Sequence, residues 1–241
     1  MVPQLTTSTL SRADGSATYT IPLYSIIAAT TGPIEVSRRD ELPSETTIEV
    51  SIRPSSGSGT PRERWLESIL HSVLRSVLLV HLHPRTLIQV TLQVVKEPGP
   101  GKFRKGRGDV AVLPGLVNAA FLACVDAGVP LGTTASAVCV AVGEGGEVWR
   151  EPTVKQLVGC RSVHAMAFDA LGGMVMDEST GKFGVEEWEG VAEVAQRMCA
   201  AATAIAGEDE AMANGGVEGE PWLRQALEEK VRDANAWRES T

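Results

Sequence analysis

Stretches of alternating apolar and polar residues predict a β-sheet in the first half of the chain. Residues 46–53 alternate in the manner of a half-buried strand, and residues 86–96 form a second strong strand. Residues 18–31 are rich in strand-forming side chains. Gly32-Pro33 is expected to break that strand before residues 34–38 begin another. Residues 1–10 are predicted to be a flexible tail.

Helical periodicity separates and follows these strands. Residues 60–80 form the clearest helix, because Thr60 can cap it, Pro61 suits its first position, and a broad apolar stripe runs along one side. A second helix, rich in small residues, is predicted from about Pro114 to Ala127. Small residues allow a helix to approach a sheet closely, so this helix is expected to lie against one.

The second half repeats the alternation of strands and helices. Strands are predicted at 135–142, 147–150, 163–170 and 172–177, and a helix follows at 185–206. An acidic, glycine-rich linker then leads to a charge-laced amphipathic helix at 221–238. This order of elements predicts an α+β fold in which two similar halves pack together.

Composition excludes several classes of protein. The 241 residues are 43% hydrophobic and 22% charged, as in soluble globular proteins, and the net charge of −8 argues against a chain that wraps nucleic acid alone. The four cysteines are scattered and predicted to be free buried thiols, so no zinc site is expected. No signal peptide is visible, and no apolar run reaches the roughly 18 residues of a membrane helix.

Five short motifs, in order, resemble the RNase PH family, and within it the ring subunits of RNA exosomes. They are Arg12–Gly15, Gly32–Val36, Pro61–Arg64, Pro84–Val90 and Asn118–Pro130. The resemblance implies an RNase PH-like fold of two pseudo-symmetric βαβα halves, of the ribosomal protein S5 domain 2-like type. It also implies a tail at 1–10, halves at 11–131 and 132–206, and a linker with a terminal helix at 207–241.

The same resemblance implies that catalysis has been lost. Active members hold phosphate with an arginine at the start of the first helix and with a G-T-R-T-like loop before the second, and they use two aspartates in the second half. Arg62 matches the arginine, but Ala111–Pro114 replaces the loop, and the acids fall near Val158 and Val163. Valine cannot transfer a proton or bind Mg²⁺. We therefore expect no catalytic residue, metal or cofactor.

Two basic groups are candidates for weak RNA contacts. Arg62 and Arg64 lie at the start of the first helix, where arginine suits phosphate geometry. The alternative is an ordinary solvated helical turn. The other group lies in an apparently flexible glycine-rich loop, for which a solvated hairpin is the alternative, and consists of Lys102, Arg104, Lys105 and Arg107.

The resemblance implies a non-catalytic subunit of the exosome scaffold and RNA channel, acting in 3'-5' RNA processing and degradation. The implied partners are other RNase PH-like ring subunits, RNA-binding cap subunits, nuclease subunits and RNA, and no membrane. The implied locations are the nucleus, nucleolus and cytoplasm. Two alternatives remain: an active phosphorolytic 3'-5' exoribonuclease, which Arg62 favours, and a stand-alone, metal-dependent or homodimeric nuclease.

Overall fold

Two β-sheets and five helices make up the part of the chain that the computed structural model describes, residues 3–98, 106–203 and 221–239. The strands are β1 (Gln4–Thr7), β2 (Gly15–Thr20), β3 (Ser25–Glu35), β4 (Thr47–Arg53), β5 (Thr86–Lys96), β6 (Ala135–Gly143), β7 (Val148–Arg150), β8 (Cys160–Asp169) and β9 (Met174–Gly181). The helices are α1 (Pro61–Val77), α2 (Arg107–Asp126), α3 (Val154–Gly159), α4 (Val185–Thr203) and α5 (Trp222–Glu239).

The first sheet has the strand order β1-β2-β3-β5-β4, and the second has the order β7-β6-β8-β9. In the first sheet β4 and β5 are parallel and are connected by α1, whereas every strand pair in the second sheet is antiparallel. The predicted α+β class is therefore confirmed, and the likeness between the two halves is partial.

The structure corrects the predicted N-terminal tail and the predicted end of the third strand. Residues 4–7 are not a flexible tail, because they pair with β2 as an edge strand and Leu5 packs against the core. Strand β3 also does not stop at Gly32-Pro33. It continues to Glu35 across a bulge, because the register against β5 shifts between Thr31 and Ile34 and lets the strand resume.

Helix α1 begins as its sequence predicts. The Thr60 hydroxyl accepts a hydrogen bond from the Arg62 backbone N–H at 3.3 Å, and the Glu63 carboxylate accepts one from the Thr60 N–H at 2.7 Å. This reciprocal arrangement is a capping box. The helix ends at Val77, three residues before the predicted end at residue 80.

Helix α2 begins seven residues earlier than predicted, at Arg107 rather than near Pro114. Residues 107–113 contain no strong helix breaker beyond Gly108, so the helix extends back to its N-cap, Gly106, whose φ of 89° suits a glycine. Pro114 lies inside the helix, where it lacks only its own N–H donor. Ala111–Pro114, which the resemblance places where active members have a phosphate loop, is therefore helical.

Both sheets pack against α2. It contacts β2 and β3 of the first sheet and β6 and β8 of the second, and every residue from Val110 to Cys124 is buried. Close approach requires small residues. A Cβ atom on Gly115 would lie 2.0 Å from the Tyr24 ring. Against the sequence expectation, α2 is long and apolar enough to cross a membrane, but it is mostly buried, as a core helix is.

Asn118 of α2 is a buried polar link to the second sheet. Its side-chain amide donates to the Ala137 carbonyl and accepts from the Ala137 N–H, both at 2.9 Å. The same amide group also lies 3.4 Å from the Tyr19 hydroxyl of the first sheet. Because burial removes water from all these groups, the amide holds α2 at one position relative to both sheets.

Helix α5 docks on the body of the protein. Leu223 is fully buried, and the Trp222 ring meets the Tyr19 ring edge-on at a centroid distance of 5.7 Å. The Lys230 ammonium binds the Asp126 carboxylate, which also accepts from the Ser16 N–H at 2.8 Å. Burial alone would raise the pKa of Asp126, but these hydrogen bonds and the ammonium lower it. The predicted acidic linker before α5 lies outside the described residues.

Replacing Asn118 by alanine should destabilise the protein by about 2–4 kcal/mol, because the Ala137 N–H and carbonyl would be buried without partners. Urea unfolding followed by circular dichroism measures this. The matched control is Asn235→Ala on α5, whose amide bonds only to the Val231 carbonyl of its own helix, and its effect should stay below about 0.5 kcal/mol. Equal effects of the two substitutions would contradict the role of Asn118.

Candidate anion site

Arg62, the arginine matched to the family's phosphate ligand, is enclosed by three carboxylates. Its Nε donates to Asp109 in the first turn of α2, and its two terminal nitrogens lie 3.3 Å from Glu63 and 3.2 Å from Glu97. The Arg62 side chain remains 29% exposed, whereas Glu63 is 5% exposed. Every guanidinium nitrogen thus has a carboxylate partner from this chain.

The charges of this cluster do not balance. One guanidinium faces three carboxylates, so the cluster carries a net charge of about −2 when all are ionised. Burial alone would lower the pKa of Arg62, but Asp109 and Glu97 raise it above its ordinary value. Burial would raise the pKa of Glu63, but its bonds to Thr60 and the charge of Arg62 lower it. Arg62 and Glu63 are therefore both favoured in their charged forms, and the excess of carboxylates over guanidinium opposes a further anion.

Three different elements bring these carboxylates together. Glu63 is held by the α1 capping box, Glu97 directly follows β5, and Asp109 lies in the first turn of α2, where the helix dipole favours an acid. Sequence reasoning missed this cluster. A signal was present, since acids stand on either side of the glycine-rich segment between β5 and α2.

The structure places the predicted RNA-contacting residues in different environments. Arg64 lies on the exposed side of α1. Lys102, Arg104 and Lys105 fall outside the described residues. Arg107 was expected in the same loop, but it is the first residue of α2 and only 6% exposed.

The guanidinium of Arg107 is used within the protein. The guanidinium donates to the carbonyls of Val158 and Arg161, at 3.5 and 3.2 Å. Because α2 starts at Arg107, this residue lies close to the start of β8. It ties α2 to the second sheet. The prediction that Arg107 projects from a flexible loop is therefore wrong.

The positions suggested for the two catalytic acids do not form a pair. Val158 lies on the short helix α3 with 52% of its surface exposed, whereas Val163 is fully buried in β8 against the main core. The two valines occupy different environments, one facing solvent and one facing the core. Neither carries a group that can exchange a proton.

Three carboxylates in or near the second sheet already have partners. Asp169 accepts from the N–H groups of Leu171 and Gly173 in the β8–β9 turn. Asp177 accepts from Ser179 and from the indole of Trp188, and Glu187 pairs with Arg161. Within residues 3–98, 106–203 and 221–239, no three histidine, cysteine or acidic side chains are grouped so as to hold a metal ion.

A buried histidine lies close to the expected acid positions. The two ring nitrogens of His164 lie 2.9 Å from the Ser162 hydroxyl and 2.8 Å from the Ser179 hydroxyl, and Ser179 in turn donates to Asp177. Phe183 meets the imidazole edge-on at 4.7 Å. Because His164 and Ser162 are fully buried, this network serves packing between β8, β9 and α4.

Comparison with known proteins places these features in a family. Residues 3–130 match the model for the 3' exoribonuclease family, domain 1, of RNase PH type. The exosome complex component RRP46 of Saccharomyces cerevisiae is 31% identical over 197 residues, covering 79% of this chain and 86% of the yeast protein. The exosome complex exonuclease RRP46 homolog of Oryza sativa is 36% identical, covering 59% of this chain and 56% of its own.

Solved structures agree with the sequence matches. A crystal structure of rice Rrp46 superposes with a TM-score of 0.69 and 29% identity, covering 80% of this chain and 87% of the rice chain. A chain of the Archaeoglobus fulgidus exosome superposes with a TM-score of 0.65 over 82% of this chain and 85% of its own. At 12% identity this second likeness concerns the fold alone.

Acidification should weaken the fold through His164. Burial lowers the pKa of His164, with Asp177 and Glu187 opposing, so below about pH 6.5 the unfolded chain binds more protons than the folded one. The contribution of neutral His164 to the free energy of unfolding is then fully present above that pH and is lost as the pH falls. Urea unfolding between about pH 7 and pH 5 should show a steeper loss for wild type than for His164→Gln.

The exposed His81 provides the matched control for this measurement. His81→Gln should keep the wild-type slope of stability against pH. If His164→Gln also keeps that slope, the buried imidazole does not limit stability in acid.

Proposed function

Because the chain belongs to the 3' exoribonuclease (RNase PH) family, we propose that it is a non-catalytic ring subunit of an RNA exosome. The Saccharomyces cerevisiae relative, covered over 86% of its length, and the Schizosaccharomyces pombe relative, covered over 50%, are both named exosome complex components, which supports membership of the ring. One observation carries the non-catalytic part of the proposal. The guanidinium of Arg62 is already bound by Glu63, Glu97 and Asp109.

Phosphorolysis requires the enzyme to hold inorganic phosphate beside the phosphodiester that it attacks, and both are anions. Cationic and N–H groups must therefore face the phosphate. At Arg62 the donors face carboxylates instead, so phosphate would have to displace Asp109 or Glu97 while paying the repulsion of the remaining acids. This arrangement opposes phosphate binding.

Two further features support the loss of catalysis. The segment that the resemblance places at the phosphate loop is buried helix: Leu113 is fully buried, and Pro114 has no N–H to donate. The resemblance expects the acids near Val158 and Val163, which lie apart in a short surface helix and a buried strand. Removal of a general acid alone typically lowers a rate by about 10²–10⁴.

RNA contact is proposed for a smaller set of residues than the sequence suggested. Arg64 is exposed at the start of α1 and retains the role, as do Lys102, Arg104 and Lys105. Arg62 and Arg107 suit it poorly, because carboxylates surround the first and carbonyl groups bind the second. Weak phosphate contacts from a few exposed residues are enough for a strand guided by a whole assembly.

The proposed partners are those of an exosome ring: other RNase PH-like subunits, RNA-binding cap subunits, nuclease subunits and RNA. Locations in the nucleus, nucleolus and cytoplasm are proposed on the same ground. The names of the relatives support an exosome assembly, and the individual neighbours and compartments are our extension from it.

One observation favours a second function. The rice and Arabidopsis thaliana relatives carry the name exosome complex exonuclease RRP46 homolog, and they are 36% and 31% identical to this chain. A phosphate-dependent exoribonuclease is therefore the alternative candidate. It differs from the main proposal in requiring a free phosphate site.

The purified chain should not shorten a 5'-labelled RNA at any phosphate concentration at which an active RNase PH enzyme does. Calorimetry should detect no binding of inorganic phosphate by wild type. The double substitution Glu97→Gln and Asp109→Asn removes two negative charges around Arg62 and should make phosphate binding detectable by the same calorimetry, without producing turnover. Phosphate-dependent shortening by wild type that disappears in Arg62→Ala would establish the alternative function.

Membership of the ring is tested separately. The tagged full-length chain, expressed in cells of its own source, should recover RNase PH-like, cap and nuclease subunits in near-equal amounts after a wash in high salt. Native mass measurement should then give one copy per assembly. Recovery of the chain only as a monomer or homodimer would contradict the proposal and favour a stand-alone protein.

A further inference from the structure

Asp126, the last residue of α2, connects two elements that are far apart in the chain. Its carboxylate accepts hydrogen bonds from the Ser8 N–H at 3.1 Å and from the Ser8 hydroxyl at 2.7 Å, directly after β1. The same carboxylate binds the Lys230 ammonium of α5. Because the Asp126 side chain is only 3% exposed, these groups replace the water that an ionised carboxylate would otherwise bind.

The Lys230 ammonium also contacts the end of β1 directly. It donates to the Ser8 hydroxyl at 3.3 Å, and that hydroxyl donates to Asp126. We call Ser8, Asp126 and Lys230 the Asp126 cluster. Its three members come from β1, α2 and α5, and Lys230 supplies its positive charge. Loss of that charge would leave a buried carboxylate without a counter-ion, which is costly in a protein interior.

Helix α5 is buried along its first half. Leu223 is fully buried, and Ala226 and Leu227 pack against the core beside it. Lys230 follows Leu223 by seven residues and therefore lies on the same side of the helix. Val231, the next residue, is 60% exposed. The Asp126 cluster thus lies at the boundary between the buried and the exposed part of α5.

Strand β1 has few attachments of its own. It contains four residues and, among the described strands, pairs with β2 alone, because it is an edge of the first sheet. Leu5 of β1 lies opposite Tyr19 in this pairing, and both side chains belong to the core. The Tyr19 ring in turn contacts the Trp222 ring of α5. The inner side of β1 and the start of α5 therefore cover neighbouring parts of the core.

We propose that α5 and β1 open and close as one unit, a strap that the positive charge of Lys230 holds closed. Isolated helices are marginally stable in water, so α5 depends on its docked position. When α5 leaves, Asp126 loses its counter-ion and gains water, which competes for its hydrogen bonds to Ser8. The rest of both sheets shares the main core with α2 and stays folded while the strap is open.

The open and closed states differ in the surface that they present. Departure of α5 uncovers the Tyr19 ring, which is 2% exposed in the closed state. Departure of β1 frees the backbone N–H and carbonyl groups along the outer edge of β2, where another strand can pair. The closed strap therefore hides an apolar, strand-pairing surface, and Lys230 sets the fraction of molecules that expose it.

Native-state hydrogen exchange of the full-length chain, measured by mass spectrometry, tests the strap. Lys230→Gln removes the charge but keeps a long polar side chain, and it should speed exchange at least about tenfold in both residues 4–8 and residues 222–230. Exchange in β5 should stay within about twofold of wild type. Lys230→Arg keeps the charge and should stay within about threefold of wild type throughout. Arg232→Gln removes the same charge from an exposed position of α5 and is the matched control.

Each other result contradicts a named part of the proposal. Faster exchange in α5 with unchanged exchange in β1 means that the two elements open separately and overturns the strap. An equal increase in α2 and β5 means that α5 unfolds only with the whole protein, which also overturns it. Unchanged exchange in Lys230→Gln, or equal opening in Lys230→Arg or Arg232→Gln, overturns control by the charge of Lys230.

Discussion

Burial of α2 between two sheets constrains the rest of the structure. A helix enclosed on all sides has no polar face, so nearly every residue between Val110 and Cys124 must be apolar or small. The exception is Asn118, whose amide is satisfied by the Ala137 backbone. Dispersion contacts and hydrophobic burial along this helix join the two sheets in one core. A change of side-chain volume in either sheet must therefore be accommodated by the packing of α2.

The same helix bears on the proposed loss of catalysis. Because α2 starts at Arg107, it includes Ala111–Pro114, which the sequence resemblance places where active members of the family would have a phosphate loop. That extension has two consequences: it carries Asp109 to the guanidinium of Arg62, and it buries Arg107 against the carbonyls of Val158 and Arg161.

Local patterns predicted local structure well and predicted distant contacts poorly. The Thr60 cap follows from neighbouring residues, and the limits of β5 follow from alternation. The start of α2 did not follow, because glycines suggested a loop whereas burial between two sheets stabilises the longer helix. Edge strand β1 was missed because it depends on pairing with β2, and the Ser8 N–H directly after it is held by Asp126, far along the chain. The carboxylates at Arg62 were missed for the same reason: Glu97 and Asp109 meet it only in three dimensions.

Retention of Arg62 does not by itself indicate an active enzyme. Glu63 is almost fully buried and is needed to cap α1, so its charge must be compensated nearby. The guanidinium provides that compensation and also holds the end of β5 and the first turn of α2 through Glu97 and Asp109. Arg62 thus has a structural role that does not require phosphate. Under the proposed function, the net negative charge of the site outweighs the presence of its arginine and opposes phosphate binding.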